Sequence, residues 1–356
     1  MNHESRIPAY RRIAAEEAFA TPDLLTAYRQ LLDDPPADLD PGFRSLVGYY
    51  LTNQHPRALL MSTRIQDIGE RRLADMDASG IDMQILGITA PGVQIFDAAT
   101  GTALARSAND QLAEAIGRHP DRFAGLAAVA PQDPAAAAKE LERAVNTLGL
   151  RGAIVNSHTH GEYLDDAKFW PIFEAAEALA VPVYIHPTTP PRTWIAPFME
   201  RGLDGAIFGF AVETGLHVLR LIIAGVFDRF PRLRVVVGHL GEAIPYWLFR
   251  IDFMHAPMAA ANRYPGVKPL TRKPSEYFRE NVYVTTSGMA WEPVILFAQQ
   301  VLGVDRVLYA MDYPYQYVPE EVQVTDNLPI SEDDKKKLYE TNAERVFGLR
   351  LSAPSS

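Results

Sequence analysis

No position of this chain is cysteine, which removes disulfides and thiolate metal sites together. Any metal it holds must sit on imidazole, carboxylate, carbonyl or water ligands. Basic residues are also scarce: 34 Lys and Arg face 44 Asp and Glu, a formal net charge of -10. Nucleic-acid binding needs the opposite balance, because cations must neutralise phosphates, so no nucleic-acid partner is expected. Long hydrophobic runs are missing. The longest apolar stretches, such as 221–227, are far too short to span a bilayer. Residues 1–12 are polar, of mixed charge, and lack the apolar segment of a secretory signal. The expectation is a soluble cytoplasmic protein with no membrane partner.

What is present is apolar and regularly spaced. A hydrophobic content of 47% over 356 residues supports a large core, and α/β barrels form one domain at this length. Eight short β-rich runs occupy 12–15, 83–88, 123–129, 152–156, 182–186, 233–239, 282–286 and 306–312. Most are continuously apolar, as parallel strands buried on both faces must be. Helical patterns lie between them at 65–79, 102–119, 134–148, 167–179, 211–227, 292–302 and 331–347. Pro134 suits a first helical position, and Ser331 with Asp334 downstream resembles a helix start. There is no repeat of fixed period and no linker that would separate the chain into domains. This alternation predicts a single (β/α)8 TIM barrel over 1–350, with 351–356 as a disordered tail. Longer connections follow strand one (21–64) and strand five (190–209). Insertions there sit on the catalytic rim as substrate walls or lids.

Most of the runs close on a residue able to bind a metal or a polar ligand: Glu16 or Glu17, Thr89, Asn156, His186, His239, Ser287 and Asp312. A barrel keeps its chemistry at these strand ends. Each has a plainer explanation. Glu16 and Glu17 could be a charged exit from strand one, although charged residues rarely stay buried unpaired. Adjacent strand residues face opposite sides, so one of the two is expected to be a ligand. His186 could be a structural histidine with satisfied partners, and Asp312 could cap the next helix. His239 has Glu242 three residues on. Coincidence at all four sites is harder to accept than at any one. Mixed oxygen and nitrogen ligation suits Mn²⁺, Zn²⁺ or Fe²⁺ rather than Ca²⁺, and residue types do not choose among the three. A rival metal motif is His158-Thr159-His160, beyond the end of strand four; there His158 is read as facing substrate from the rim. Arg57 and Arg250 stand out because arginine grips a carboxylate through two hydrogen bonds. The apolar stretch 244–249 suits either an interface between copies or burial in the core.

Four segments carry a family resemblance: Glu16-Glu17-Ala18-Phe19-Ala20-Thr21-Pro22, Tyr184-Ile185-His186-Pro187, Val237-Gly238-His239-Leu240-Gly241-Glu242 and Met311-Asp312-Tyr313-Pro314-Tyr315. Along nearly its whole length the chain resembles the decarboxylase branch of the amidohydrolase superfamily. The likeness is densest with the 5-carboxyvanillate decarboxylases, at 156–159, 202–210 and 309–318. The resemblance implies one divalent metal, Mn²⁺ with Zn²⁺ as the alternative, held by Glu16, His186 and Asp312, and no organic cofactor. Most members carry a second strand-one ligand where this chain has Ala18. Glu16 shares a face with position 18, which favours it over Glu17. By the same resemblance Arg57 and Arg250 bind substrate carboxylates, one of them from a neighbouring subunit of a homodimer or homotetramer. Thr89, Phe210 and Tyr315 line the pocket, together with Asn156 and His158 from the densest segment. The implied reaction is non-oxidative decarboxylation of a small ortho-hydroxylated aromatic carboxylate, 5-carboxyvanillate to vanillate and CO₂. Asp312 protonates the ring, and His239 with Glu242 handles a proton nearby. The alternatives are a related resorcylate or dihydroxybenzoate decarboxylase, a hydrolase of a lactone or amide such as a pyrone dicarboxylate, or a barrel that only binds an aromatic acid.

Overall fold

The structure, a computed structural model, describes residues 10–264, 267 and 269–349; the expected tail at 351–356 lies outside them. Nine strand segments follow in chain order: β1 Ile13–Phe19, β2 Met83–Ile88, β3 Phe123–Gly125, β4 Ala127–Ala128, β5 Ala153–Asn156, β6 Val183–His186, β7 Val235–Val237, β8 Val282–Thr285 and β9 Val307–Leu308. All pairings are parallel, in the orders β1-β2-β3 and β4-β5-β6-β7-β8-β9. Segments β3 and β4 are halves of one expected strand, interrupted at Leu126. Backbone hydrogen bonds cross both seams: Leu126 N donates to Leu86 O at 2.8 Å, and Ala15 N donates to Tyr309 O at 2.9 Å. The ring is that of the expected (β/α)8 barrel. Every residue of β1, β2, β5, β6 and β8 is buried, as strands walled by helices outside and side chains inside must be.

Two expected strands stop early. The runs 233–239 and 306–312 pair only over Val235–Val237 and Val307–Leu308. Beyond them the backbone turns left-handed, with His239 at φ 49° and Asp312 at φ 69°. Apolar sequence continues there, but other groups take over the amides: Tyr309 N donates to Leu338 O and Ala310 N to Thr286 Oγ1. Strand one, in contrast, runs on to Phe19.

Some helix limits shift for equally local reasons. The helix expected from 65 begins at Glu70, because the Asp67 carboxylate accepts from Gly69 N at 2.9 Å and turns the chain first. The run 211–227 divides at Gly225, whose φ of 78° separates Gly209–Ile223 from Val226–Arg229. Ser331 caps its helix by accepting from Asp334 N.

The insertion after β1 folds as three helices, Pro22–Asp33, Pro41–Thr52 and Pro56–Arg64. Each starts on proline behind a capping side chain, from Thr21, Asp40 and His55. The insertion after β6 carries the short helix Ala196–Met199. The helix Ile244–Ala260 buries Ile244, Pro245 and Leu248. Tyr246, Phe249 and Phe253 are 73%, 83% and 67% exposed, so the apolar stretch at 244–249 is half core and half surface. Among the described residues, no helix is long and apolar enough to cross a membrane.

Candidate active site

Glu16 sits on β1 with its carboxylate buried. One oxygen, Oε2, accepts from the Tyr184 hydroxyl and from Thr285 Oγ1. Burial and the Glu16 charge raise the Tyr184 hydroxyl well above its usual value, so it stays protonated and donates. The other oxygen, Oε1, is buried and has no hydrogen-bond partner. It faces His186 Nε2 at 3.6 Å and His239 Nε2 at 4.0 Å. Gly238 makes room for this carboxylate: a Cβ there would stand 2.7 Å from Oε1 and 2.8 Å from Oε2.

The imidazoles are oriented by their other nitrogens. His186 closes β6, and its Nδ1 donates to Pro187 O at 2.9 Å. A carbonyl can only accept, so Nε2 keeps a free lone pair turned towards Glu16. Burial lowers the His186 pKa, which keeps the ring neutral. His239 Nδ1 lies 2.7 Å from Glu242 Oε1. Burial works to lower His239, but Glu242, Glu16 and Asp312 outweigh it and push the ring up to about 10.

Asp312 completes the group. Glu16, His186 and Asp312 together line a recess of about 10 Å³ at the barrel mouth, room for about one water-sized body. Burial pushes the Asp312 carboxyl up to about 7, with His239 opposing and Glu16 adding to the rise. Glu17 also borders this recess, but both of its oxygens are occupied: they accept from Met311 N at 2.9 Å and Tyr313 N at 2.8 Å.

Among the described residues, no three His, Asp or Glu side chains stand as placed in a group that could hold a metal ion. The donor set nevertheless fits a divalent cation. Two ligands each about 2.1 Å from one ion lie at most about 4.2 Å apart, and the 3.6 Å between Glu16 Oε1 and His186 Nε2 falls within that span. The orphaned Glu16 Oε1 is the kind of buried charge that a cation satisfies.

Above the recess opens a cavity of about 580 Å³, within the range of small-molecule sites. The first insertion contributes Tyr49, Tyr50 and Arg57, and the second contributes Asp204, Ile207 and Phe210; His186, His239, Asp312 and Tyr315 form the floor and flank. Arg57 Nη2 donates to Tyr315 O at 3.3 Å. Thr89 acts through Tyr315, their hydroxyls 2.5 Å apart, and does not itself line this cavity.

Besides Thr89, three expected pocket residues, His158, Asn156 and Arg250, lie outside this cavity. His158 and His160 line a separate cavity of about 280 Å³, with Asp40 and Arg192. His158 Nε2 donates to Thr189 O and its Nδ1 accepts from Gly161 N, so both nitrogens are engaged and the His-x-His pair does not form a metal centre. Asn156 is buried and outside the main cavity. Arg250 is exposed on the helix Ile244–Ala260 and does not reach the cavity of its own chain. Sequence reading missed Tyr184 and Thr285, the groups that aim Glu16. Tyr184 was within reach, since it lies two residues before His186 and so on the same strand face. Tyr49 and Tyr50, on an amphipathic insertion helix, carried no comparable signal.

Residues 35–349 match the amidohydrolase family. A gamma-resorcylate decarboxylase from Polaromonas sp. is 39% identical over 81% of this chain and 90% of its own length. A crystal structure of 5-carboxyvanillate decarboxylase from Novosphingobium aromaticivorans, complexed with manganese and 4-hydroxy-3-methoxy-5-nitrobenzoic acid, superposes with a TM-score of 0.93 and 51% identity, covering 96% of each chain. The 5-carboxyvanillate decarboxylase from Sphingomonas paucimobilis superposes at 0.90 with 43% identity, over 96% of this chain and all of that one.

Proposed function

This chain belongs to the amidohydrolase family, and on that premise we propose that it is a metal-dependent, non-oxidative decarboxylase of ortho-hydroxylated aromatic acids, converting 5-carboxyvanillate to vanillate and CO₂. The observation that carries this reading is the recess where Glu16, His186 and Asp312 meet beneath a cavity that also holds Arg57. The relatives point the same way: they are carboxy-lyases, and one was crystallised with manganese and a nitrobenzoic acid.

Glu16, His186 and Asp312 would hold the ion, Mn²⁺ by likeness to the relatives and Zn²⁺ as the alternative. When bound, it supplies charge neutralisation for the neighbouring phenolate and carboxylate oxygens of the substrate. Arg57 pairs with the substrate carboxylate that stays on the ring. Phe210, Tyr50 and Tyr315 pack the ring and exclude water.

Losing CO₂ directly would leave an unstable aryl carbanion, so ring protonation comes first. Burial favours the protonated form of Asp312, which suits a group that must carry a proton for part of the cycle. Asp312 takes that proton from the phenol as substrate binds and delivers it to the ring carbon bearing the carboxylate. The carbon–carbon bonding pair then returns to the ring, aromaticity is restored and CO₂ leaves. His239, held cationic by Glu242, steadies the charge on the way.

We place Arg250 in the site of a second copy. The exposed aromatic face of Ile244–Ala260 supports a homodimer that would carry it there. A polar aromatic dicarboxylate substrate suits a cytoplasmic location.

The test is product analysis. Manganese-loaded protein is mixed with 5-carboxyvanillate and a panel of hydroxybenzoates, and CO₂ and ultraviolet spectra are followed. Release of one CO₂ per vanillate formed is expected. Ring opening of a pyrone dicarboxylate without CO₂ release would replace this reading with hydrolysis. Tight aromatic-acid binding without turnover under Mn²⁺ or Zn²⁺ would leave a binding protein.

A further inference from the structure

We propose that Glu17 is the positioning residue for Asp312, a buried carboxylate that replaces the missing end of strand eight and holds Asp312 aimed at the cavity. The inference rests on the role given to Asp312 above. Its basis is a substitution of bonding partners. β9 ends at Leu308, yet Met311 N and Tyr313 N are buried and need acceptors. Both find them on one side chain, Glu17 Oε1 at 2.9 Å and Oε2 at 2.8 Å. The two amides flank Asp312, which sits at φ 69°, a left-handed conformation uncommon outside glycine although aspartate tolerates it better than most residues, and which their bonds to Glu17 help to hold.

The clamp is itself braced. Arg72, fully buried, donates to Ala18 O at 2.7 Å, to Gln84 Oε1 at 3.1 Å and to Asp67 O at 2.8 Å. Its guanidinium lies 4.5 Å from the centre of the Tyr313 ring. Ala18 N in turn donates to Tyr313 O at 2.7 Å. The 311–313 turn is therefore fastened to β1 by Glu17 and by the Ala18 backbone, and Arg72 fills the space beneath. Glu17 borders the small recess but not the substrate cavity, and both its oxygens are taken by the turn amides, so its effect on chemistry runs through where Asp312 points.

Glu17→Gln keeps the size but offers one acceptor and one donor, leaving one of the two amides facing an NH₂. Hydrogen–deuterium exchange of the Met311 and Tyr313 amides should speed up. Bound manganese and KM for 5-carboxyvanillate should stay within about twofold, while kcat falls about 10- to 100-fold, the scale expected of a misplaced catalytic group. Asn109→Ala serves as the control: Asn109 likewise replaces ladder bonds, at Ala128 N and O, but far from Asp312, and its kcat should be unchanged. If Glu17→Gln does not fold, Glu17→Asp, with its carboxylate drawn back by one methylene, is read the same way. Unchanged exchange at 311 and 313, or a kcat within twofold of the natural chain, overturns the proposal. So does an equal kcat loss in Asn109→Ala. An active Asp312→Asn would instead overturn the reading of the site, while the exchange data still decide whether Glu17 holds the turn.

Discussion

Tyr184 donates its hydroxyl proton to one oxygen of Glu16 and so leaves the other oxygen, Oε1, free to face the two imidazoles. Removing that hydroxyl should loosen the carboxylate without changing the ligand set. Outer partners of metal ligands are typically worth about 10- to 100-fold in metal affinity, so Tyr184→Phe should weaken Mn²⁺ binding by that factor. Titration with a fluorescent chelator competitor measures it, and an unchanged affinity would remove Tyr184 from this role.

Arg57 is the only arginine on the wall of the main cavity, among the described residues. A hydrogen bond to a charged partner is worth about 1.5–3 kcal/mol, so Arg57→Ala should raise KM about tenfold or more. Steady-state kinetics with 5-carboxyvanillate test this. An analogue lacking the retained carboxylate should show no difference between the two proteins.

Stability should depend on pH through Glu213. Burial pushes this carboxyl up to about 8, above its ordinary 4.5. The folded state therefore binds a proton more tightly than the unfolded state between those values. Stability from this group is full below about 4.5 and is lost as pH rises through about 8. Glu213→Gln should flatten the fall in Tm between pH 5 and pH 9 relative to the natural chain. Calorimetry at both pH values gives the slopes, and equal slopes would contradict the prediction.

Phe249 and Phe253 stack at 6.3 Å on the exposed face that also carries Arg250. Phe249→Glu should split the proposed homodimer, with an affinity loss of about 2 kcal/mol or more for an interface anchor. Sedimentation should then show monomer, and kcat/KM should fall together with the loss of Arg250 from the neighbouring site. A natural chain that already sediments as a monomer would end the assignment.

The barrel was readable because its strands are continuous apolar runs, with β2 and the 292–302 helix found at their observed limits. The strand ends were readable only as candidates. Apolar residues run on through Val237 and Leu308 into left-handed turns, and nothing in a hydropathy pattern marks where a ladder partner gives way to the side chain of Thr286 or Glu17. His158 was expected to face substrate from the rim, but a position past a strand end does not say that both ring nitrogens are bonded to Thr189 and Gly161, beside a different cavity. Strand alternation set Glu16 and Glu17 on opposite faces, and the family resemblance at position 18 favoured Glu16. The structure adds why both are acidic: one faces the histidines and the other fastens the turn that bears Asp312.

Anomalous diffraction at the manganese edge tests the central claim most directly. Crystals of manganese-loaded protein should show one peak per chain, within bonding distance of Glu16 Oε1, His186 Nε2 and an Asp312 carboxylate oxygen. A peak beside His158 and His160, or none within reach of Glu16, would contradict the account.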